Sequence, residues 1–123
     1  MKIEQCIEDF MNSIVKRDAE LFCSLLCPKS LFRIRKRMYT NKKYKSINRF
    51  VKEQYLDKLK RLVAPTYKYD YFKDGNKYIV SYRFPQNNTY LKTVFIIYAS
   101  DPTLLINLDI NKVQVKMHYN TQI

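Results

Sequence analysis

The spacing of the apolar residues changes once along this chain, at Ala64-Pro65, and that change limits the folds open to it. Before it, large apolar residues recur at steps of three and four, which places them on one face of an α-helix. After it, they alternate with polar residues, as in a strand with one buried face. Helices followed by strands joined through short turns predict the α+β class. The expected architecture is a set of N-terminal helices (residues 3–63) packed on a curved antiparallel sheet (residues 66–119), a meander of about five strands. A chain of 123 residues has the size of one domain.

Ile3, Ile7, Phe10, Met11, Ile14 and Val15 predict a helix over 3–17, with Glu4, Glu8 and Asp9 near its positive end and Lys16 and Arg17 near its negative end. Asp18 is a good N-cap for a short helix over 19–26, which Pro28 stops. Ser30 is expected to cap a third piece over 31–38, with Leu31, Ile34 and Met38 inward. Thr40 to Lys45 reads as a loop. Ser46 then caps the longest helix, 47–63, whose apolar side is Ile47, Phe50, Val51, Tyr55, Leu59, Leu62 and Val63. Arg49–Glu53 and Asp57–Arg61 stand four apart on it, a spacing that pairs charges on a helix surface.

In the second half, Tyr67, Tyr69 and Tyr71 share one strand face, as do Tyr78, Val80, Tyr82 and Phe84. A two-residue Asp74-Gly75 loop would set Tyr71 against Tyr78 and Tyr69 against Val80. The run Val94-Phe95-Ile96-Ile97-Tyr98 is apolar on both faces, so the strand over 89–99 should be central. Asp101-Pro102 reads as a turn. A last hairpin should pair Leu108 with Val115 and Ile106 with Met117 across Asn111-Lys112. The expected core joins Ile7, Phe10, Ile14, Phe50, Leu59, Val80, Phe95 and Ile97.

The opening Ile7-Glu8-Asp9-Phe10-Met11-Asn12-Ser13-Ile14-Val15-Lys16-Arg17-Asp18-Ala19-Glu20-Leu21 resembles the first helix and following turn of nuclear transport factor two-like domains, a cystatin-like superfamily. Lys77-Tyr78-Ile79-Val80-Ser81-Tyr82 and Thr93-Val94-Phe95-Ile96-Ile97-Tyr98 fit that family's sheet. The resemblance implies a cone-like domain, often a homodimer through the sheet, with a pocket between helices and sheet. The family includes enzymes, carriers and assembly domains, so the fold alone names no activity.

Charge is the second constraint. From Leu21 to Lys52 the chain holds ten basic residues and no acid, within a net charge of +12. The basic residues are Lys29, Arg33, Arg35, Lys36, Arg37, Lys42, Lys43, Lys45, Arg49 and Lys52, with Phe32, Tyr39, Tyr44 and Phe50 among them. Such a field attracts nucleic acid, anionic lipid headgroups or an acidic protein surface. Arginine grips phosphate bidentately, and Tyr39 and Tyr44 are placed to stack on unpaired bases. The competing reading is a solvated face made basic by A+T-rich codons. No signature motif of a nucleic-acid-binding family is present, so the partner stays open among the three.

Catalysis finds less support. Asp70, Asp109 and His118 alternate with the large apolar residues and so belong to the outer face of the sheet. A general base must reach its proton, and none is placed inside. Cys27 has no evident His partner, and a single Gly excludes a glycine-rich phosphate loop. Inward Tyr67, Tyr69, Tyr78 and Tyr82 could line a pocket for a flat or apolar ligand, or be core and interface. Cys6, Cys23 and Cys27 lack the further Cys or His pair of a zinc site. They read as reduced core thiols, with Cys23 and Cys27 on one helical face, which suits a cytoplasmic or nuclear protein. No apolar run reaches membrane-spanning length, and a leader already removed is compatible with the same composition. The expectation is a non-catalytic binding or assembly module without cofactor or metal, acting through residues 29–52. A small-ligand carrier or an enzyme using the tyrosine-lined pocket is the alternative.

Overall fold

The computed structural model describes residues 2–86, 88–98, 101–105 and 115–117. Three helices come first: α1 (Lys2–Val15), α2 (Ala19–Leu25) and α3 (Pro28–Thr40). A continuous fourth rod follows, made of α4 (Ile47–Val51), a π-helical turn (Lys52–Leu56) and α5 (Asp57–Lys60). The strands are β1 (Lys68–Asp74), β2 (Lys77–Phe84), β3 (Thr89–Tyr98), β4 (Asp101–Leu105) and β5 (Val115–Met117). The molecule is α+β, as the change of period predicts.

Capping explains most of the helix boundaries. The Asp18 carboxylate accepts the Leu21 N–H at 3.1 Å, and the Ser46 hydroxyl accepts that of Arg49 at 3.4 Å. The expected Ser30 cap is not formed. Cys27 is the N-cap residue and Pro28 occupies the first helical position, where no N–H donor is needed. Pro28 thus starts α3 as well as following α2, and Ser30 is buried inside with its Oγ 3.2 Å from Cys27 Sγ. Cys27 therefore does not share a helical face with Cys23, which lies on α2. Cys27 is buried, and Cys6 and Cys23 are half-buried; none of the three forms a disulfide.

The π-turn has a packing reason. Phe50, Val51, Tyr55, Leu56 and Leu59 are all buried. At about 100° per residue, a regular helix would spread these five over about 240°. The wider turn, closed by the Asp57 N–H on the Lys52 carbonyl, draws them onto one face.

At the end of α1, the Arg17 N–H bonds the Ile14 carbonyl and the Asp18 N–H that of Ser13. This is a Schellman cap with Arg17 in the left-handed position, at φ 55°. The Arg17 guanidinium grips both oxygens of Asp57, at 2.8 and 3.0 Å. Asp57 therefore pairs with Arg17 across forty positions, and the expected Asp57–Arg61 partnership is not made. This bond, more than any other cause, holds the Asp57 carboxyl below the usual carboxylate range.

The sheet runs β1-β2-β3-β4, all antiparallel. β5 lies beside Thr89–Leu91 on the same edge of β3 that β4 borders at Val94–Tyr98. β3 is central, as its two apolar faces predict. Two turns differ from expectation. Asp101 and Pro102 belong to β4 and pair with Tyr98 and Ile97. The first hairpin turns on Gly75-Asn76, so Tyr71 opposes Val80 and Tyr69 opposes Tyr82. The pairing moves by two residues, which keeps every side chain on its predicted face. Met117 and Val115 pair with Thr89 and Leu91, and their expected partners Ile106 and Leu108 lie outside the described residues.

Gly75 is the residue that permits this turn, with φ 62° and nothing within 4 Å of the place a Cβ would occupy. Gly75→Ala should therefore act through backbone strain alone and destabilise the fold by about 1–2 kcal/mol. Equilibrium denaturation of the two proteins checks this, and an unchanged midpoint would remove the turn assignment.

The core lies between the helices and the inner sheet face. Ile7, Phe10, Ile14, Phe50, Leu59, Val80 and Phe95 are all buried there. Ile97, expected with them, is only half-buried, since it lies near the end of β3. The Thr93 hydroxyl is buried without a partner among the described atoms.

Candidate functional site: the basic face of α3

α3 has two opposite sides. Ser30, Ile34 and Met38 are buried. On the solvent side stand Lys29, Arg35 and Lys36, all exposed, with Phe32 67% and Tyr39 74% exposed. By helical spacing, Lys29, Phe32, Arg35, Lys36 and Tyr39 fall within an arc of about 120°. Arg33 flanks the arc and is half-buried. Lys29, Arg33, Arg35 and Lys36 form no ion pair with any described residue. Lys42, Lys43 and Lys45 are exposed in the loop beyond, where the Asn41 side chain accepts the Lys43 N–H at 3.3 Å.

The structure does not keep all the sequence candidates on this surface. Arg37 turns inward: Nη1 donates to the Tyr55 hydroxyl at 2.7 Å, and the guanidinium lies 5.5 Å from the centre of that ring. Arg49 is tied to Glu53 at 3.0 Å, the pair expected on the helix surface. Tyr44, expected to stack on bases, is instead buried, with 6% exposure. Its ring packs edge-on against Phe50, with Lys43 and Arg49 over its faces. Its hydroxyl donates to Glu53 Oε1 at 2.7 Å and accepts from Gln54 at 2.9 Å. The Tyr44 hydroxyl first, then Arg49, holds the Glu53 carboxyl below its ordinary value. Tyr44 thus fastens the lysine loop to the π-turn.

The tyrosines form a row. Rings of Tyr67, Tyr69 and Tyr71 follow one another at 6.5 and 6.3 Å, and Tyr78 meets Tyr71 at 6.1 Å. Tyr82 is fully buried and donates to the Ile7 carbonyl at 2.6 Å, so it packs α1 on β2 and does not line an open pocket. Burial pushes its phenol well above the ordinary tyrosine range. Sequence reasoning missed Glu4 of α1, which accepts the Tyr71 hydroxyl at 3.1 Å. The three-and-four spacing that set the buried face of α1 could have shown that Glu4 borders it.

Asp70 is exposed and paired with Arg83 at 3.2 Å, as its outward parity predicts, whereas Asp109 and His118 lie outside the described residues. Among the described residues, no His, Asp, Glu, Lys or Arg is fully buried, and no His, Cys, Asp and Glu cluster could hold a metal ion. A polar surface depression of about 250 Å³ lies between the α1–α2 turn and the fourth rod. Lys16, Arg17 and Lys52 line it together with Asp18 and Glu20, so its charges largely offset one another. No described helix is long and apolar enough to cross a membrane.

Fold and surface together define an α+β domain with an aromatic-bearing basic helix on its exterior, four of whose cations form no ion pair with a described residue. Comparison with protein-family models, with curated proteins and with solved structures finds no match.

Proposed function

We propose that this chain is a non-catalytic binding or assembly module that contacts a polyanion or acidic partner through its basic helical face. The observation that carries the reading is the set Lys29, Arg33, Arg35 and Lys36, exposed or flanking on one side of α3 without an ion pair to any described residue. Cations without local partners retain their long-range attraction for an anionic surface. Arg37 turns inward to Tyr55 and the exposed Arg49 is paired with Glu53, so both belong to the support of this face. The order of helices followed by a meander supports a relation to nuclear transport factor two-like domains, and three cysteines outside any disulfide support a reducing compartment.

Affinity for a heparin column gives the test. The wild type should elute only at raised salt, because each neutralised anionic group releases counterions. Arg33→Gln with Arg35→Gln should elute markedly earlier while melting at the same temperature. Wild-type elution at the salt of that double variant would overturn the reading.

A second reading, self-association through the sheet, is favoured by one row of its helix-free face. Phe72, which is 60% exposed, is in register with Ile79, and Ile79 with Val94. Sedimentation of the wild type against Phe72→Lys would separate a dimer from a monomer.

A further inference from the structure

Exposed aromatic side chains are uncommon on a solvated helical face, and α3 has two of them, Phe32 and Tyr39, on one line. Seven residues at about 1.5 Å each place them about 10 Å apart along the helix. Arg35 and Lys36 stand between them and Lys29 beside the first. The opposite side of α3 is held in the core by Ile34 and Met38, so this face is presented already ordered. A convex line of alternating cations and aromatics meets a flat partner along its whole length. Single strands are instead bound in basic grooves, with aromatic platforms under successive bases. Two rings about 10 Å apart with charged side chains between them do not make consecutive platforms. A bilayer surface combines both requirements: anionic headgroups for the cations, and an interfacial layer that takes the amphipathic ring of a tyrosine and the apolar ring of a phenylalanine.

We propose that α3 docks flat on an anionic lipid bilayer, seating Phe32 and Tyr39 among the headgroups with Lys29, Arg33, Arg35 and Lys36 against their phosphates. The proposal rests on the polyanion reading above and narrows it to one partner. It is a peripheral attachment by a preformed helix, distinct from a membrane-spanning segment.

The chain contains no tryptophan, so Phe32→Trp supplies a single fluorescent reporter at the proposed contact. Its emission should shift to the blue with vesicles of phosphatidylcholine mixed with phosphatidylserine and stay unchanged with phosphatidylcholine alone. In co-sedimentation with the mixed vesicles, Phe32→Ser with Tyr39→Ser should bind roughly tenfold more weakly than wild type. The same variant should keep its heparin retention, whereas Arg33→Gln with Arg35→Gln should weaken both. Equal vesicle binding by the wild type and the aromatic double variant would overturn the seating of the rings. Binding of heparin or oligothymidylate without vesicle binding would overturn the lipid assignment and leave the polyanion reading standing. Binding to none of the three would reject both.

Discussion

Phe10→Ala should destabilise the protein by about 3–5 kcal/mol, the usual cost of removing a buried aromatic ring. Phe10 is 1% exposed, and its ring centre lies 6.2 Å from that of Phe22 and 5.9 Å from that of Tyr82. It thus touches α2 and β2 at once, and its loss opens a cavity where three elements meet. Relaxation is limited because Tyr82 is anchored by its hydrogen bond to the Ile7 carbonyl. Domains of this kind have about 5–15 kcal/mol in total, so the variant would forfeit a large part of its stability. Urea denaturation measures the change, and a loss below about 1 kcal/mol would show that Phe10 is not a core residue.

Tyr44→Ala is the second large effect, and it separates two roles for one residue. As a buried ring against Phe50, Tyr44 should cost about 3 kcal/mol or more when truncated. A base-stacking platform would instead lose affinity at unchanged stability. Tyr44→Phe keeps the ring and removes the hydroxyl that bonds Glu53, so its penalty should be smaller and pH-dependent. The folded Glu53 carboxyl sits below its ordinary value. Its contribution is therefore complete above the unfolded carboxylate's pKa and is lost as pH falls through the lower folded value. The difference between wild type and Tyr44→Phe should accordingly shrink on acidification. Melting curves at neutral and acid pH check this, and a constant difference would mean that the hydroxyl acts independently of Glu53.

Much of the architecture is local and was therefore legible in the order of residues. The spacing of Ile7, Phe10 and Ile14 defines a buried helix face, and the alternation of Tyr78, Val80, Tyr82 and Phe84 defines a buried strand face. Asp18 and Ser46 are caps because their side chains reach backbone N–H groups three residues away. The basic run also lies where its spacing puts it, with Ile34 and Met38 inward and Arg35 and Lys36 outward.

Choices between chemically equal partners were decided only by the tertiary structure. Asp57 had an arginine four residues on, yet the Schellman turn brings Arg17 to it with both oxygens engaged. Arg37 and Arg35 look alike in sequence, but only Arg37 lies over the Tyr55 ring. Tyr44 and Tyr39 both sit among lysines; Phe50 and Glu53 draw one inward, and the other stays exposed. Gly75-Asn76 and Asp74-Gly75 loops bury the same side chains, because their registers differ by two, so alternation could not choose between them. Periodicity specifies which face a residue occupies. Which neighbour it meets depends on packing between elements distant in the chain, and that packing separates the supporting arginines and tyrosine from the surface they hold in place.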